Sequence, residues 1–307
     1  MEVSHKPPRR DVCAVIVAYE PDYDHFVELL GECLAQCAGV VLVNNGNPLA
    51  LPPFGHGQLK QIQTRGNIGL AAAQNLGVAW AAAQDYPYVW FIDQDSWPAA
   101  GLVQTLRLAF ADLESAGATP AAVGPCLIDH RDGVATPFVR FTPWGVSRFH
   151  PTAHSTAIAC DFLIASGMLS STARFQAIGP WEEALFIDNV DLEWSFRARA
   201  SGFPCFGVST ARLSHTLGDA VTRFTLLGRT HTLYFHNPLR QYYMMRNRIA
   251  LYRRRYIPLA WKLQDIPRAV VKTLLFALLV RPRRENARYL LKGIIDGYLS
   301  RLGPLPE

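Results

Sequence analysis

Two aspartates one residue apart, Asp93 and Asp95, follow an apolar segment at residues 89–92 that has the composition of a buried strand. Side chains two positions apart on an extended chain point to the same side, so both carboxylates can approach one hard cation. Mg²⁺ or Mn²⁺, with the oxygens of a diphosphate, is the natural occupant of such a site. The alternative is a structural turn, because Asp95 and Ser96 stand before Pro98, where a helix cap would be favoured.

A second group of acids, Asp188, Asp191 and Glu193, falls within six residues, among apolar neighbours such as Phe186 and Trp194. Acids this dense beside a helix start act either as caps or as a working site. An acid held in partly apolar surroundings can have its pKa raised, which suits a general base toward a sugar hydroxyl.

Glycine and alanine are concentrated in residues 65–77, where a helix is predicted to begin against a strand end. Small residues such as Gly69 let a phosphate approach the backbone near the positive helix N-terminus. The alternative is close packing of the helix on the sheet. The spacing is not the Gly-Xaa-Gly-Xaa-Xaa-Gly fingerprint, which argues against a nicotinamide-dependent dehydrogenase.

One histidine and two arginines complete the candidates for chemistry. His215 could be a metal ligand, although a single histidine is more often structural. Arg240 and Arg246 could neutralise charge that develops on a diphosphate leaving group, and otherwise they are surface residues.

The elements that must position these residues alternate between strand and helix. Apolar runs predict strands, and periodic apolar positions predict helices between them. The predicted strands are 12–18, 40–43, 59–63 and 88–92, with a helix at 69–84 and a second helical block from about Asp191. Such alternation predicts a mostly parallel sheet covered on both faces, with the ligand site at the carboxyl ends of the strands, where Asn44 and Asp93 stand.

Composition fits an ordered globular protein: of the 307 residues, 50% are hydrophobic and only 18% are charged. We expect residues 1–10 to be a flexible tail. No secretory signal opens the sequence, so a cytoplasmic protein with its six cysteines reduced is expected.

The charge is distributed unevenly along the chain. Residues 1–238 carry 15 Lys/Arg against 21 Asp/Glu, a net of −6, whereas residues 239–307 carry 15 against 4, a net of +11. This asymmetry predicts that the C-terminal extension meets an anionic surface, and a membrane is favoured. No nucleic-acid partner is expected.

The apolar part of the extension, residues 269–280, is interrupted by Lys272 and falls short of the ~20 residues needed to cross a bilayer. Downstream, Leu291, Ile295 and Tyr298 recur at helical spacing beside basic residues, which predicts a helix lying in the membrane interface. The alternative is that this helix packs on the catalytic domain or forms a homo-oligomer.

Taken in order, these motifs resemble glycosyltransferase family 2, the inverting enzymes of GT-A fold, and most closely its bacterial L-rhamnosyltransferase branch. The resemblance covers about residues 11–260. It is carried by the strings Ile-Asp-Gln-Asp-Ser at 92–96, Phe-Ile-Asp-Xaa-Val-Asp-Xaa-Glu-Trp at 186–194, Asn-Xaa-Gly-Xaa-Ala at 67–71, Ser-Gly at 166–167, His215 and Arg-Asn at 246–247.

The resemblance implies a role for each candidate residue. The implied metal ligands are Asp93, Asp95 and His215, and the implied catalytic group is Asp191 with Asp188 and Glu193 beside it. Donor binding is implied for Tyr19, Glu20, Asn44, Asn67, Gly69, Asn75, Asp93 and Arg246, and acceptor binding for Trp181, Gly167 and Trp194. Asp188 remains an alternative to Asp191 as the base. Asn44 departs from the family, whose members commonly have an aspartate there.

The expected protein has an α/β GT-A domain at residues 11–238, divided into a nucleotide-binding half (11–97) and an acceptor half (98–238), followed by a basic helical extension at 239–307. It is expected to transfer L-rhamnose from dTDP-L-rhamnose, with Mg²⁺ or Mn²⁺, to a lipid-linked acceptor at the inner face of the membrane. The alternatives are a galactofuranosyl or glucosyl donor, or a non-catalytic relative that only binds the sugar nucleotide.

Overall fold

The computed structural model describes residues 11–54, 58–131, 133–151, 157–215, 220–226, 229–235, 237–278 and 280–306. The predicted flexible tail, residues 1–10, lies outside the described residues. Within them, the alternating strands and helices predicted for the first third of the chain are all present, and their bounds differ from the prediction by one residue at most.

Among the described residues, nine strands form one central sheet in the order β3-β2-β1-β4-β10-β6-β11-β5, with β9 paired to β11. Their bounds are β1 Val12–Ala18, β2 Gly39–Asn44, β3 Gln58–Gln63, β4 Tyr88–Asp93, β5 Ser96–Pro98, β6 Ala122–Asp129, β9 Ile158–Cys160, β10 Leu169–Ser171 and β11 Cys205–His215. The first four are parallel neighbours, and β5, β9 and β10 run antiparallel to their partners. Two hairpins lie outside this sheet, β7 (Phe138–Thr142) with β8 (Gly145–Phe149), and β12 (Ala220–Leu226) with β13 (Arg229–Phe235).

Eight α-helices accompany the sheet in the part of the chain that the structure describes. They are α1 Tyr23–Gln36, α2 Leu70–Ala83, α3 Leu102–Ser115, α4 Thr172–Ile178, α5 Val190–Ala200, α6 Pro238–Tyr252, α7 Leu259–Leu278 and α8 Arg283–Tyr298, with a short 3₁₀ turn at Glu183–Leu185. The two sides of the sheet bury separate apolar clusters, because alternate residues of a strand point to opposite faces. In β1, for example, Val15 packs toward α2 while Ile16 packs toward α1 and α3.

The basic extension folds as three helices, of which α8 packs closely on α6. The glycines at the contact explain the close approach: a Cβ on Gly293 would lie 2.7 Å from the Tyr242 carbonyl, and one on Gly297 would lie 2.5 Å from the Arg246 carbonyl. Within the described residues, no helix combines the length and the apolar composition that crossing a membrane requires.

Candidate active site

The carboxyl ends of β1, β2 and β4 meet at one edge of the sheet. In the register of these strands Asn44 lies beside Ala18, and Asp93 lies beside Val17. Immediately after the strands, Gln94 accepts a hydrogen bond from the Tyr19 N–H at 2.7 Å and donates one to the Tyr19 carbonyl at 3.1 Å. The loop that carries the two aspartates is therefore fastened to the end of β1.

Three predicted metal ligands converge at this edge. The antiparallel pairing of β11 with β5 places His215 opposite Ser96, and one ligand atom from each of Asp93, Asp95 and His215 lies within 4.8 Å of the others. The Nδ1 atom of His215 is 3.6 Å from a carboxylate oxygen of Asp95. Two carboxylates and an imidazole form a donor set that suits a divalent cation such as Mn²⁺.

The charge balance at Asp93 also fits a cation. Burial, together with the negative charge of Asp95, raises the pKa of Asp93, while His215 and Arg240 act in the opposite direction. A bound divalent ion would stabilise the ionised form of such a carboxylate. The residues present therefore fit the predicted metal.

A buried chain of hydrogen bonds supports two of these ligands, Asp93 and His215. The hydroxyl of Ser166 accepts from the Asp93 N–H at 3.1 Å and lies 2.8 Å from the Ser96 hydroxyl, which is 3.1 Å from His215 Nδ1. Both serines are almost completely inaccessible to solvent. Such partners fix the orientation of ligand side chains. The Ser166-Gly167 motif is thus structural support for the candidate metal site.

Gly167 has no side chain to offer an acceptor, and its backbone groups are already used. Its N–H donates to the Phe91 carbonyl, and its carbonyl accepts from the Trp90 indole. Its φ of +86° and a Cβ position only 2.5 Å from Pro125 Cγ require glycine. Its predicted acceptor-binding role is therefore not supported, and the residue shapes the turn beneath Asp93.

Asp191 lies close enough to Asp93 for the charge of one carboxylate to act on the other. Its carboxylate accepts from the Leu192 N–H at 2.8 Å and the Ala165 N–H at 3.3 Å. Burial raises its pKa to about 6 despite those two hydrogen bonds, and the negative charges of Asp93 and Asp188 add to the increase. A carboxylate with this pKa is mostly ionised at neutral pH and can still accept a proton, as a general base must.

Asp188 is held differently from Asp191. Its carboxylate forms an ion pair with Arg240 at 3.3 Å. The carboxylate of Asp188 is thus engaged by a charged side chain, whereas the carboxylate of Asp191 accepts from two backbone N–H groups. The two environments therefore favour Asp191 over Asp188 as the base.

The backbone that leads into α5 is strained. The φ values of Phe186, Asp188 and Asn189 are 66°, 63° and 59°, a backbone region that residues other than glycine rarely adopt. The amide of Asn247 holds this segment by donating to the carbonyls of Leu185, Ile187 and Asp188 at 2.7 to 2.9 Å. Asn247 thereby fixes where the acidic cluster points.

Arg246 lies inside the protein, contrary to its predicted contact with the donor. Its side chain is 0% exposed, and its guanidinium donates to the carbonyls of Leu185 and Gly303 and to the Asn247 side chain. The structure therefore corrects this assignment: Arg246 supports the strained segment together with Asn247. The Arg246-Asn247 motif indicates that both residues matter, but it does not show which way their side chains point.

Glu193 is likewise a structural residue rather than a partner of Asp191. It is completely buried, and its carboxylate accepts from Arg197 at 2.9 Å and from the Tyr256 hydroxyl at 2.5 Å, with Arg254 nearby at 3.4 Å. Because it is two residues beyond Asp191 on a helix, it points to a different side. It links α5 to the turn between α6 and α7.

Both tryptophans predicted to contact the acceptor belong to the core. Trp181 is 1% exposed and Trp194 is 0% exposed, and they pack against each other and against Phe175. Asn75, a predicted donor contact, exchanges two hydrogen bonds with the backbone of Trp181. The two tryptophans are therefore packing residues, and Asn75 holds the backbone beside Trp181.

The remaining donor candidates lie at the strand ends, in two different states. Tyr19, Glu20 and Asn67 are exposed, whereas Asn44 is buried with its amide nitrogen donating to the Asn47 carbonyl and to Gln63. Asn44 therefore shapes the turn after β2 and has little hydrogen-bonding capacity left for a base.

Gly69 allows close packing at the start of α2, against the segment that leads into α5. Its φ is +89°, and a Cβ there would lie 2.5 Å from the Phe186 ring. Asn45, directly after Asn44 at the polar end of β2, joins β2 to this turn by accepting from the Ile68 N–H and donating to Asn67. The polar strand end indicated this position, but the sequence did not show which groups Asn45 contacts.

Known proteins that resemble the chain are glycosyltransferases. No protein-family model matches it. It is 26% identical over 292 residues to dTDP-rhamnosyl transferase RfbF of Shigella flexneri, with 93% of each chain covered. It is also 26% identical over 252 residues to galactofuranosyltransferase GlfT1 of Mycolicibacterium smegmatis, which covers 77% of this chain and 81% of that protein.

Solved structures show the same fold at low sequence identity. The crystal structure of GalNAc-T7 with UDP, GalNAc and Mn²⁺ has a TM-score of 0.56 at 12% identity, and the match covers 93% of this chain but 55% of that one. Staphylococcus aureus TarS 1–349 in complex with UDP-GlcNAc has a TM-score of 0.53 at 13% identity, covering 94% and 82%. The predicted GT-A fold and the predicted resemblance to bacterial rhamnosyltransferases are confirmed.

Proposed function

We propose that this chain is a metal-dependent, inverting glycosyltransferase that transfers L-rhamnose from dTDP-L-rhamnose to a hydroxyl of a glycan acceptor. The observation that carries the proposal is the convergence of Asp93, Asp95 and His215 on one point, with the carboxylate of Asp191 close enough to be influenced by the charge of Asp93. The similarity to RfbF along nearly the whole chain supports the choice of sugar.

In this proposal Asp93, Asp95 and His215 would hold the divalent ion, which when bound would supply positive charge to stabilise the diphosphate leaving group. Asp93 and His215 are oriented through Ser166 and Ser96, so the ligands are fixed before the donor arrives. Arg240, whose positive charge reaches Asp93, adds to the same electrostatic field.

Asp191 removes the proton from the acceptor hydroxyl. The acceptor oxygen forms a bond to the anomeric carbon while the bond from that carbon to the diphosphate oxygen breaks, and the hydroxyl proton passes to Asp191. Attack from the side opposite the leaving group inverts the configuration. A pKa near 6 keeps Asp191 ready to accept this proton at neutral pH.

The nucleoside portion of the donor is proposed to lie across the ends of β1 and β2. Tyr19, Glu20 and Asn67 are exposed there, and Gly46 is close enough to Tyr19 that a Cβ on it would lie 3.3 Å from the Tyr19 ring. Because the Asn44 amide is engaged in the turn, we propose that it positions neighbouring groups and does not itself read the base.

A second donor class has specific support. The similarity to galactofuranosyltransferase GlfT1 covers 77% of this chain, so a galactofuranosyl nucleotide is the main alternative. A screen of nucleotide sugars, with release of the nucleoside diphosphate as the readout, separates the two. The proposal requires faster turnover of dTDP-L-rhamnose than of any other donor. Faster turnover of a galactofuranosyl donor would reject the choice of sugar, and no turnover of any donor would favour a non-catalytic relative.

We also propose that the acceptor is lipid-linked and belongs to a cell-surface polysaccharide such as an O-antigen, and that the enzyme works on the inner face of the cytoplasmic membrane. Support comes from the net charge of +11 in residues 239–307, against −6 in residues 1–238. An anionic membrane surface attracts the positively charged residues 239–307 and not the negatively charged residues 1–238.

A further inference from the structure

Helix α7 has two faces of different character. The inner face buries Trp261, Ala269 and Phe276, which are spaced eight and seven residues apart, close to whole helical turns. Asp265, on the same side, forms an ion pair with Arg248 at 2.7 Å and accepts a hydrogen bond from the Tyr252 hydroxyl. The inner face therefore attaches α7 firmly to the rest of the protein.

The outer face of α7 is apolar and exposed along the whole helix. Its residues follow at intervals of three or four, which places them on one side of a helix. They are Leu259, Leu263, Ile266, Val270, Leu274 and Leu278, with exposures between 43% and 68%, and Val271 is exposed beside them at 55%. This strip is about 30 Å long. A strip of this kind marks an interaction site, since soluble proteins rarely expose large contiguous apolar patches.

Positive charge is concentrated where the strip ends. Arg281, Arg283, Arg284 and Arg288 follow Leu278 within ten residues, and all four are exposed. The exposed part of α8 adds apolar area through Leu291 and Ile295, at 59% and 45%. An apolar helix face bordered by arginines is typical of helices that lie in the plane of an anionic membrane.

A neighbouring hairpin offers an aromatic anchor. Strands β7 and β8 pack against α7 and present Trp144 at the turn between them, 95% exposed. Tryptophan is favoured at the boundary between lipid and water, because its ring is apolar and its N–H is polar.

We infer that the outer face of α7 docks onto an anionic lipid bilayer, with the helix in the plane of the surface and the adjacent arginines on lipid phosphates. The inference rests on the proposed function in one respect: docking would bring the active site to a lipid-linked acceptor. Charge decides between lipid and a second copy of the chain: pairing two copies through α7 would bring together two segments of net charge +11. The sequence favoured α8 for this role, but α8 buries Gly293 and Gly297 against α6 and leaves α7 as the longer apolar face.

The test is flotation of the full-length protein with vesicles of phosphatidylcholine, with and without phosphatidylglycerol. The variant Val270→Gln/Leu274→Gln alters two residues of the strip, each 54% exposed. The matched control Leu108→Gln/Val134→Gln makes the same chemical changes at residues 56% and 60% exposed elsewhere. Because all four side chains are exposed, both variants should fold, and their circular dichroism and melting temperatures verify this.

The wild type and the control should float with phosphatidylglycerol vesicles at low salt and be partly released at high salt. The α7 variant should bind at least about tenfold more weakly, since two apolar side chains no longer enter the bilayer. Equal flotation of the α7 variant and the control would overturn the inference, as would a wild type that fails to float. A wild type that is dimeric without lipid, and monomeric in the α7 variant, would assign the face to a second copy and also overturn it. Nucleotide-sugar turnover by the same preparations keeps this result separate from the proposed reaction.

Discussion

The side chain of Gln94 forms two hydrogen bonds with the backbone of Tyr19, one to its N–H and one to its carbonyl. The middle residue of the Asp-Gln-Asp motif thus joins the loop that carries the candidate metal ligands to the strand end where the nucleoside is proposed to lie. Neither hydrogen bond involves the side chain of a candidate metal ligand. Both fix the distance between the two halves of the proposed donor site.

Replacement of Gln94 should therefore affect donor binding more than folding. We expect Gln94→Ala to raise the KM for the nucleotide sugar about tenfold, because two hydrogen bonds of about 1 kcal/mol each no longer order the loop. The melting temperature should change little, since the site is exposed. Steady-state kinetics over a range of donor concentrations measures the change, and an unaltered KM would show that the bridge has no role in donor binding.

Asp191→Asn should lower kcat by about 10² to 10⁴-fold while donor and metal affinities remain near normal. Asparagine keeps the shape of the side chain but cannot take the acceptor proton. Asp188→Asn is the matched comparison: it leaves Arg240 without this ion pair but should retain more activity. The reverse order of activities would identify Asp188 as the base.

The pH dependence of activity should reflect the raised pKa of Asp191. The rate should decline as the pH falls through about 6, because the protonated carboxyl cannot act as a base. A profile of kcat/KM against pH measures this. A profile that stays flat well below pH 6 would show that the rate does not depend on the ionisation of Asp191.

The same raised pKa has a consequence for stability, with a definite sign. A buried carboxylate whose pKa in the folded state exceeds its unfolded value penalises the folded protein when it is ionised, which is above about pH 6. Removing the charge relieves this penalty. Asp191→Asn should therefore melt at a temperature equal to or higher than the wild type at pH 8, and the difference should shrink toward pH 4. A variant that melts well below the wild type at pH 8 would contradict it.

Asn247→Ala should destabilise the protein by about 1–3 kcal/mol, because three carbonyls of the strained segment lose their common donor. Chemical denaturation measures this. The accompanying fall in activity should lie in kcat, since the displaced residues are those that carry the acidic cluster. An unchanged stability with a raised donor KM would instead support the direct donor contact that the sequence predicted for the Arg246-Asn247 motif.

The sequence predicted the sheet well, because β1, β2 and β4 are short, continuous apolar runs that end in polar residues and alternate with helical patterns, as the buried strands of a parallel sheet do. The side chains that the resemblance implied as metal ligands, Asp93, Asp95 and His215, do lie together in the structure. The sequence was less successful for residues whose role depends on which way they face. Trp194 and Arg246 belong to matching motifs and Trp181 was an implied acceptor contact, yet all three are buried.

The sequence did not show that three amides hold distant backbone. Gln94, Asn45 and Asn247 lie in or beside the predicted motifs, but each bonds to main-chain groups far away in the sequence, and no local pattern indicates those partners. A motif records that a position matters, and only the fold shows whether its side chain meets substrate or backbone.

Metal-dependent turnover of the donor tests the central claim most directly. Release of dTDP from dTDP-L-rhamnose would be followed with the purified protein, first with EDTA and then after addition of Mn²⁺ or Mg²⁺ in excess, alongside Asp93→Asn. The account predicts that EDTA abolishes release, that either cation restores it, and that Asp93→Asn loses at least about 10²-fold in both conditions. Undiminished release in EDTA, or an Asp93→Asn protein as active as the wild type, would contradict it.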